Sequence, residues 1–244
     1  MMQLPGQMRV EEDRDPLFET LALALMAAAE KAIEQRSVFH LALSGGSTPE
    51  PFYMSLCIDP RFRLFPWDKT HVWIVDERQV PDDDDLNNAK MIRESLIDHV
   101  SMPRRNFHPM PVMENDPAAQ YETELREVFG HETDLPCLDF VLLGMGGDCH
   151  TASLFPQSDA LGVTDRWIVV NDGPHVTPPS RVTMTYPLIN AARHVGVLLI
   201  GQGKHEALKR VETQMKVGPD PLNLPITGIE RPVWYLDRAA AQGC

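Results

Sequence analysis

The sequence predicts an α/β protein with a mostly parallel, doubly wound sheet and helices on both of its faces. Short runs of consecutive apolar residues recur along the chain, and such runs are typical of strands that are buried on both sides. Segments with the spacing of amphipathic helices separate these runs. The chain has 244 residues, of which 43% are hydrophobic and 23% are charged. We therefore expect one globular α/β domain, 1–244, with a sizeable core.

The elements follow in order along the chain. A helix is predicted over 16–36, because one of its faces collects Leu17, Leu21, Leu25, Ala28 and Ala32. A second helix is predicted to open at Pro49, since the first turn of a helix accepts proline, and another is predicted over 205–215. Apolar runs predict four strong strands and two shorter ones: 38–43, 71–75, 138–143 and 195–200, then 181–185 and 232–236.

Each strong strand is followed by glycine or by polar and charged residues. The carboxyl ends of parallel strands meet at one edge of the sheet, and open α/β sheets bind their ligands outside that edge. We therefore expect a single site there, assembled from four separate segments of the chain.

The segment after the first strong strand is rich in glycine and hydroxyl groups; its residues are Ser44, Gly45, Gly46, Ser47 and Thr48. The glycines let the backbone turn tightly and bring its N–H groups close to an anion, and the N-terminus of the following helix favours negative charge. The segment matches neither G-x-x-x-x-G-K-[ST] nor G-x-G-x-x-G. A phosphate cradle and a plain β-to-α turn are both consistent with it.

The segment after the third strong strand combines glycines with an acid and a histidine: Gly146, Gly147, Asp148 and His150. Glycine allows the close approach of a ligand, and a histidine beside a carboxylate is able to transfer a proton near neutral pH. A purely structural histidine is the alternative. The adjacent Cys149 is disfavoured as a nucleophile because neighbouring side chains tend to point apart. The spacing offers no metal site.

Arg78 and Lys204 are the candidates to bind an anion, since both follow predicted strands, and Arg181 is a weaker third. The chain has 22 basic and 35 acidic residues, which give a formal net charge of -13. Such a chain repels nucleic acids and anionic membranes, so we expect neither as a partner.

Cysteine usage and the apolar segments favour a cytoplasmic protein. The four cysteines are irregularly spaced and include no C-x-x-C pair, as expected of reduced thiols. The longest apolar stretch, 21–29, is too short to cross a bilayer. It follows acidic residues, whereas a secretory signal begins with basic ones.

Several motifs, taken in order, resemble the 6-phosphogluconolactonase family. They are Ser44-Gly45-Gly46-Ser47-Thr48-Pro49, Asp76-Glu77-Arg78, Gly144-x-Gly146-x-Asp148-x-His150-Thr151-Ala152-Ser153-Leu154-Phe155-Pro156, Pro178-Pro179-x-Arg181-Val182-Thr183 and Gly203-Lys204. The resemblance spans nearly the whole chain. It implies a sugar-phosphate isomerase-like fold and hydrolysis of 6-phospho-D-glucono-1,5-lactone to 6-phospho-D-gluconate, in the oxidative pentose phosphate pathway. It implies no cofactor and no metal.

The resemblance also implies roles for individual residues. His150 is the expected general base and acid, and Asp148 either orients its ring or holds a sugar hydroxyl. Asp76 belongs to the expected substrate-binding set. The segment 45–48, with Arg78 and Lys204, is expected to anchor the 6-phosphate, and N–H groups of a glycine-rich loop to bind the oxyanion. Which loop serves which end of the substrate stays open.

The chain departs from the family at two positions where glycine is usual, and here it has Cys149 and Gln157. If position 149 requires a positive φ, a cysteine there is strained by about 1 kcal/mol. Otherwise the loop takes a different path, which would change the place of His150.

Two alternatives stay open. A glucosamine-6-phosphate deaminase/isomerase shares this layout, but the glutamate of that family aligns with Phe155 and its tyrosine with Arg78, so a carboxylate is lost. A sugar-phosphate sensor without turnover is the other alternative, and Asp148 and His150 argue against it. We expect a monomer or a small homo-oligomer, between which the sequence does not choose.

Overall fold

The structure, a computed structural model, describes residues 2–130 and 134–242. Its helices are α1 (Arg14–Arg36), α2 (Glu50–Ile58), α3 (Asn88–Ser95), α4 (Pro117–Phe129), α5 (Tyr186–Asn190), α6 (His205–Met215) and α7 (Arg238–Gln242). Its strands are β1 (Gln7–Glu11), β2 (Phe39–Leu43), β3 (Thr70–Ile74), β4 (Asp76–Arg78), β5 (Phe107–His108), β6 (Phe140–Leu143), β7 (Ile168–Asp172), β8 (Ser180–Met184), β9 (Val195–Leu199) and β10 (Pro232–Asp237).

A seven-stranded parallel sheet forms the centre, in the order β1-β10-β9-β6-β2-β3-β5. Every residue of β2, β6 and β9 is buried. Both faces of these strands are therefore covered, as their continuous apolar sequences require. The expected mostly parallel α/β fold is confirmed, and the four strong strands correspond to β2, β3, β6 and β9.

The direction in which the chain crosses the sheet reverses between β2 and β6. From β2 the chain moves to β3 and then to β5, whereas β6 is followed on the other side by β9 and β10. The connections that leave β2 and β6 therefore diverge and open a crevice at the carboxyl ends of these strands. Doubly wound folds bind their ligands in such a crevice.

A second sheet has three antiparallel strands in the order β4-β8-β7. The strand predicted over 181–185 is β8, so it belongs to this sheet and not to the main one. Its pairing with β4 places Arg78 opposite Arg181. The sequence did not predict β4, because Asp-Glu-Arg has no apolar residue and becomes a strand only through its partner. The edge strands β1 and β5, and β7, were not predicted either, because they are short or largely exposed.

The long helix α1 buries nearly the predicted face against the sheet. Ala29 is fully buried in place of Ala28, and Phe18 and Ala22 are buried in addition. The helix ends at Ser37, whose left-handed backbone (φ 63°) lets its N–H bond the carbonyl of Ile33. In the described part of the chain, no helix has the length and apolarity needed to cross a membrane.

Both departures from the family's glycines lie at left-handed backbone positions. The φ angles are 69° at Cys149 and 63° at Gln157. A residue with a Cβ costs about 1 kcal/mol there, whereas glycine adopts this conformation freely. Cys149 therefore has the strained, positive-φ conformation that was expected if the loop keeps the path found in the family. The Cys149 side chain is fully buried, with its Sγ 3.6 Å from the carbonyl oxygen of Ala207, and this packing offsets part of the strain.

Candidate active site

A cavity of about 240 Å³ opens at the carboxyl edge of the main sheet. It is lined by the segments that follow β2, β3, β6 and β9, which are consecutive neighbours in the sheet. The structure thus brings together ten of the residues selected from the sequence: Ser44, Gly45, Gly46, Ser47, Thr48, Asp76, Arg78, Gly146, His150 and Lys204. Three others, Gly147, Asp148 and Arg181, are not in the cavity wall.

The loop after β2 brings a buried hydroxyl to the cavity. Tyr53 donates its hydroxyl to the carbonyl of Ser44 at 2.6 Å and so ties the loop to α2. The Ser44 hydroxyl is buried and has no hydrogen-bond partner within residues 2–130 and 134–242. Since buried polar groups are usually paired, this oxygen is a candidate ligand contact. Gly45 has no room for a side chain, because a Cβ would lie 1.8 Å from Oδ1 of Asn88.

His150 and Asp148 form a hydrogen-bonded pair at the cavity. Nδ1 of His150 lies 2.6 Å from Oδ1 of Asp148, and the same oxygen accepts the backbone N–H of His150 at 3.1 Å. The carboxylate accepts the Nδ1 proton, so Nε2 of the neutral ring is left as the acceptor. The ring also packs against Phe155, with 5.0 Å between the ring centres.

The charge state of Asp148 suits this arrangement. Burial raises the pKa of Asp148, but the hydrogen bonds and the charge of His150 together lower it by more, and the net pKa is lowered. Asp148 is therefore a carboxylate at neutral pH, which is the form that accepts the Nδ1 proton. It acts on the ring and not on the cavity, because it lies outside the wall.

Arg78 and Lys204 supply positive charge to the cavity wall. Nη1 of Arg78 donates to the carbonyl of Leu86 and to Oδ1 of Asn88, both at 2.6 Å. Nζ of Lys204 donates to the carbonyl of Met145 at 2.7 Å. Within the described chain neither side chain forms an ion pair, so both charges are available to an anionic ligand.

Arg181 is buried next to this group although it is not in the cavity wall. It faces Arg78 across the β4–β8 pair, and its Nη1 has no hydrogen-bond partner among the described residues. Burial lowers the pKa of Arg181, and the charge of Arg78 lowers it further, against the opposing charges of Asp76 and Glu77. A second buried donor without a partner thus lies beside the same site.

Asp76 presents a fixed carboxylate to the cavity. The hydroxyl of Ser153 donates to its Oδ2 at 2.6 Å. Ser153 is held in turn by Asn171, whose side-chain amide donates to the Ser153 carbonyl at 2.8 Å. The orientation of Asp76 is therefore set by a segment that follows His150 in the chain.

Glu77 was not predicted as a site residue from the sequence, but it organises one side of the site. Its buried carboxylate accepts the backbone N–H groups of Arg78, Asn88 and Ala89 at 2.7–2.8 Å. Burial raises the pKa of Glu77 to about 7, although the three backbone hydrogen bonds lower it. Glu77 thereby joins the first turn of α3 to β4, and no local pattern in the sequence predicts this long-range contact.

Asn88 was also missed, and it lines the cavity. Its amide nitrogen donates to the carbonyl of Asp76 at 2.7 Å, while its Oδ1 accepts from Arg78. The available signal was the pair Asn87-Asn88 ahead of a helix, because asparagine is a preferred N-cap. Asn87 does cap α3 by accepting the N–H of Lys90.

The thiol chemistry considered for Cys149 has no support in the site. Cys149 lies outside the cavity wall, and burial raises the pKa of its thiol. Among residues 2–130 and 134–242, no group of three His, Cys, Asp or Glu side chains is placed to hold a metal ion.

Comparison with known proteins agrees with this architecture. The sequence profile described as glucosamine-6-phosphate isomerases/6-phosphogluconolactonase matches residues 12–234. The chain belongs to this family. Within the family, it is 41% identical to a 6-phosphogluconolactonase of Nostoc sp. over 88% of this chain and 89% of that protein. It is 38% identical to a 6-phosphogluconolactonase of Synechocystis sp., over 97% of both chains.

A crystal structure of a member of the family has the same fold. The 6-phosphogluconolactonase of Thermotoga maritima matches with a TM-score of 0.79 and 28% identity, over 96% of this chain and 100% of the other. The resemblance that the motifs indicated is therefore confirmed across nearly the whole chain.

Proposed function

We propose that the chain hydrolyses 6-phospho-D-glucono-1,5-lactone to 6-phospho-D-gluconate, in the oxidative pentose phosphate pathway. The observation that carries the proposal is one cavity that joins the His150–Asp148 pair to the cationic side chains of Arg78 and Lys204. A phosphorylated lactone needs both features, since a base must activate water at one end while cations hold the phosphate at the other. The relatives named above are lactonases of this kind.

His150 is the proposed general base. Its Nε2 takes a proton from the attacking water, and a tetrahedral oxyanion forms at the lactone carbonyl. The imidazolium then returns a proton to the departing ring oxygen as the C–O bond breaks. The bond from Asp148 to Nδ1 supports this role because it holds the ring in the tautomer that has a free Nε2. N–H groups of the glycine-rich loop and the Ser44 hydroxyl are the proposed donors to the oxyanion.

The other end of the cavity is the proposed phosphate site. Arg78 and Lys204 supply two charges, and the loop 45–48 precedes the N-terminus of α2, where negative charge is favoured. The unpaired Nη1 of Arg181 adds a further donor beside Arg78. Asp76 is the proposed partner of a sugar hydroxyl, because its carboxylate is already oriented at the wall.

The deaminase/isomerase alternative is not favoured. The position that aligns with that family's glutamate is Phe155, an apolar ring packed against His150. The position of its tyrosine is Arg78, which is bound to Asn88. An aldose–ketose proton transfer would therefore lack a carboxylate at this place, whereas lactone hydrolysis requires none there.

The proposal extends to the domain content, compartment, oligomeric state and partners of the enzyme. We place a single domain, 1–244, in the cytoplasm, as a monomer or a small homo-oligomer without a nucleic-acid partner. The formal net charge of -13 supports the absence of a nucleic-acid partner, because such a chain repels the phosphate backbone. Three described cysteines, Cys57, Cys137 and Cys149, have free thiols, in line with a reducing compartment.

The test of function is stopped-flow hydrolysis of freshly generated 6-phosphogluconolactone, beside unphosphorylated gluconolactone, with EDTA present. We expect turnover well above the spontaneous rate for the phosphorylated lactone, and little for the other. No acceleration of either lactone would contradict the proposal. Glucosamine-6-phosphate is the next substrate to assay, and a binding titration without product formation would identify a sensor.

Replacing Lys204 or Arg78 with alanine is expected to raise KM for the phosphorylated lactone by about tenfold or more, with a smaller change in kcat. The reason is that each variant loses a charge-assisted hydrogen bond to the phosphate. The measurement is steady-state kinetics over a range of substrate concentrations. An unchanged KM in both variants would place the phosphate elsewhere.

Replacing Gly146 with alanine is expected to lower kcat by about 100-fold with little effect on folding. A Cβ at this position would lie 2.2 Å from Cε1 and 2.3 Å from Nδ1 of His150, so the ring has to move away from Asp148. The matched comparison is Gly147→Ala, since no described atom lies within 4 Å of the Cβ position there apart from those of the residues next to it in the chain. Equal kcat values for the two variants, at equal thermal stability, would be inconsistent with this packing.

A further inference from the structure

We propose that Arg210, on the exposed side of α6, is a positioning residue for the loop that carries Asp148 and His150. The inference rests on the proposed lactonase function. It concerns a side chain that neither lines the cavity nor belongs to any motif identified in the sequence.

The loop has little internal structure of its own. Two backbone hydrogen bonds lie within it, from Gly146 N–H to the His150 carbonyl at 2.9 Å and from Cys149 N–H to the Gly146 carbonyl at 3.0 Å. Gly144, Gly146 and Gly147 add conformational freedom, and Cys149 is in a strained left-handed conformation. Such a loop keeps one conformation only if other parts of the protein hold its backbone.

The carbonyl groups show where the external contacts are. The Gly144 carbonyl accepts a hydrogen bond from the Thr151 hydroxyl at 2.9 Å. The Cys149 carbonyl accepts one from the N–H of Ile226 at 3.0 Å. The Met145 carbonyl accepts from Lys204, as described above. Two consecutive carbonyls are left, those of Gly147 and Asp148. They accept from Nη1 and Nη2 of Arg210 at 3.1 and 3.4 Å.

The contacts from Lys204 and Arg210 come from the start of one helix. Lys204 is the N-cap of α6, and Ala207 and Arg210 follow it at intervals of three residues, so successive members of this series are neighbours on the helix surface. Ala207 between them offers its carbonyl to the Cys149 thiol. The start of α6 and its N-cap therefore hold the loop at three points, and Arg210 is the one that binds the backbone carbonyl of Asp148, whose carboxylate orients His150.

The planar guanidinium suits this task better than an ammonium group. Its two nitrogens reach two successive carbonyl oxygens with fixed geometry, whereas a lysine would contact one of them at a time. Because Asp148 Oδ1 binds both the ring and the backbone N–H of His150, a shift of the Asp148 backbone moves the imidazole with it. A misplacement of about 1 Å is enough to reduce catalysis by about 100-fold when the base and the water must align.

The test is the kinetics of Arg210→Ala with 6-phosphogluconolactone. We expect kcat to fall about tenfold while KM stays within about twofold, because the phosphate site is untouched. Arg210→Lys is expected to recover only part of the loss.

Millimolar guanidinium is expected to restore part of kcat in the alanine variant and to have no such effect on the wild type. Lys209→Ala is the matched control, because Lys209 is next to Arg210 on α6 and is paired with Glu206.

A double-mutant cycle separates positioning from general stability. In an Asp148→Asn background, the Arg210→Ala change is expected to lower kcat by less than about twofold, since both act through the same ring. A full tenfold loss in that background, a rise in KM with unchanged kcat, or wild-type kinetics of Arg210→Ala would each overturn the inference. Failure of the wild type to hydrolyse the lactone would instead reject the proposed function.

Discussion

Replacing His150 with alanine is expected to lower kcat for 6-phosphogluconolactone by about 10²–10⁴-fold, while KM changes little. The variant loses the base at the cavity but keeps Arg78 and Lys204, so the phosphate still binds. The measurement is the initial rate after subtraction of spontaneous hydrolysis, together with a titration of the product 6-phosphogluconate to measure binding.

Two comparison variants make this result specific. Asp148→Asn is expected to give a smaller loss, because the ring remains but its tautomer is no longer enforced by a carboxylate. His99→Ala is expected to behave as the wild type, since His99 is exposed and its ring bonds the carbonyl of Glu94, away from the cavity wall. Wild-type turnover by His150→Ala would remove His150 from the mechanism.

The folded protein is expected to lose stability steeply between pH 7 and pH 4, and His40 is the main single cause. His40 is on β2 with 7% of its surface exposed, and it accepts the indole N–H of Trp73 on Nδ1. Its ring packs against Phe129, with 4.1 Å between the ring centres. Burial, followed by the charges of His71, His108 and Arg36, lowers the pKa of His40 to about 3. 

The direction of the effect follows from proton binding. The unfolded chain takes up a proton on this residue near pH 6.5, but the folded protein does so only near pH 3. Between these values the unfolded state binds more protons, so the free energy of unfolding falls as the pH falls. The stability is fully present above pH 6.5, and His40 alone removes about 3 kcal/mol by pH 4. His71 adds to this, because burial and His108 lower its pKa to about 4. Glu77 opposes part of the loss, because its pKa is raised to about 7 and the folded state therefore takes up this proton before the unfolded state does.

Urea unfolding of His40→Asn at several pH values tests this expectation. Asparagine keeps an acceptor for the Trp73 N–H but does not titrate, so the variant is expected to lose about 2–3 kcal/mol less than the wild type between pH 7 and pH 4.5. The exposed His99→Asn is the control and is expected to follow the wild type. If the free energy of unfolding falls equally with pH in the wild type and in His40→Asn, His40 does not cause the loss of stability in acid.

The parts of the site that lie in continuous segments were predictable from the sequence. Ser44–Thr48 and 146–150 each combine glycine with polar residues directly after an apolar strand, and parallel strands bring such ends together. The same reasoning predicted β2, β3, β6 and β9, because continuous apolar runs have few other solutions in an α/β protein.

The parts that depend on contacts between distant segments were not predictable. Glu77 binds N–H groups at the start of α3, and Arg210 binds carbonyls of a loop far from it in the chain. A glutamate in a polar run or an arginine on an amphipathic helix has no local signal of such a contact. The strand β4 was missed for the same reason, since only its pairing with β8 gives it strand geometry.

The order of strands at one edge of the sheet has a consequence for how the protein is made. Among the strands of residues 2–130 and 134–242, β1 pairs only with β10, and β10 is synthesised more than two hundred residues later. During translation β1 therefore stays unpaired until β10 has left the ribosome. At about 5–20 residues per second, that delay is on the order of 10–40 s. The sequence of β1 is polar and mostly exposed, which lowers the risk of aggregation during this delay. An apolar strand that stayed unpaired for as long would be prone to aggregate.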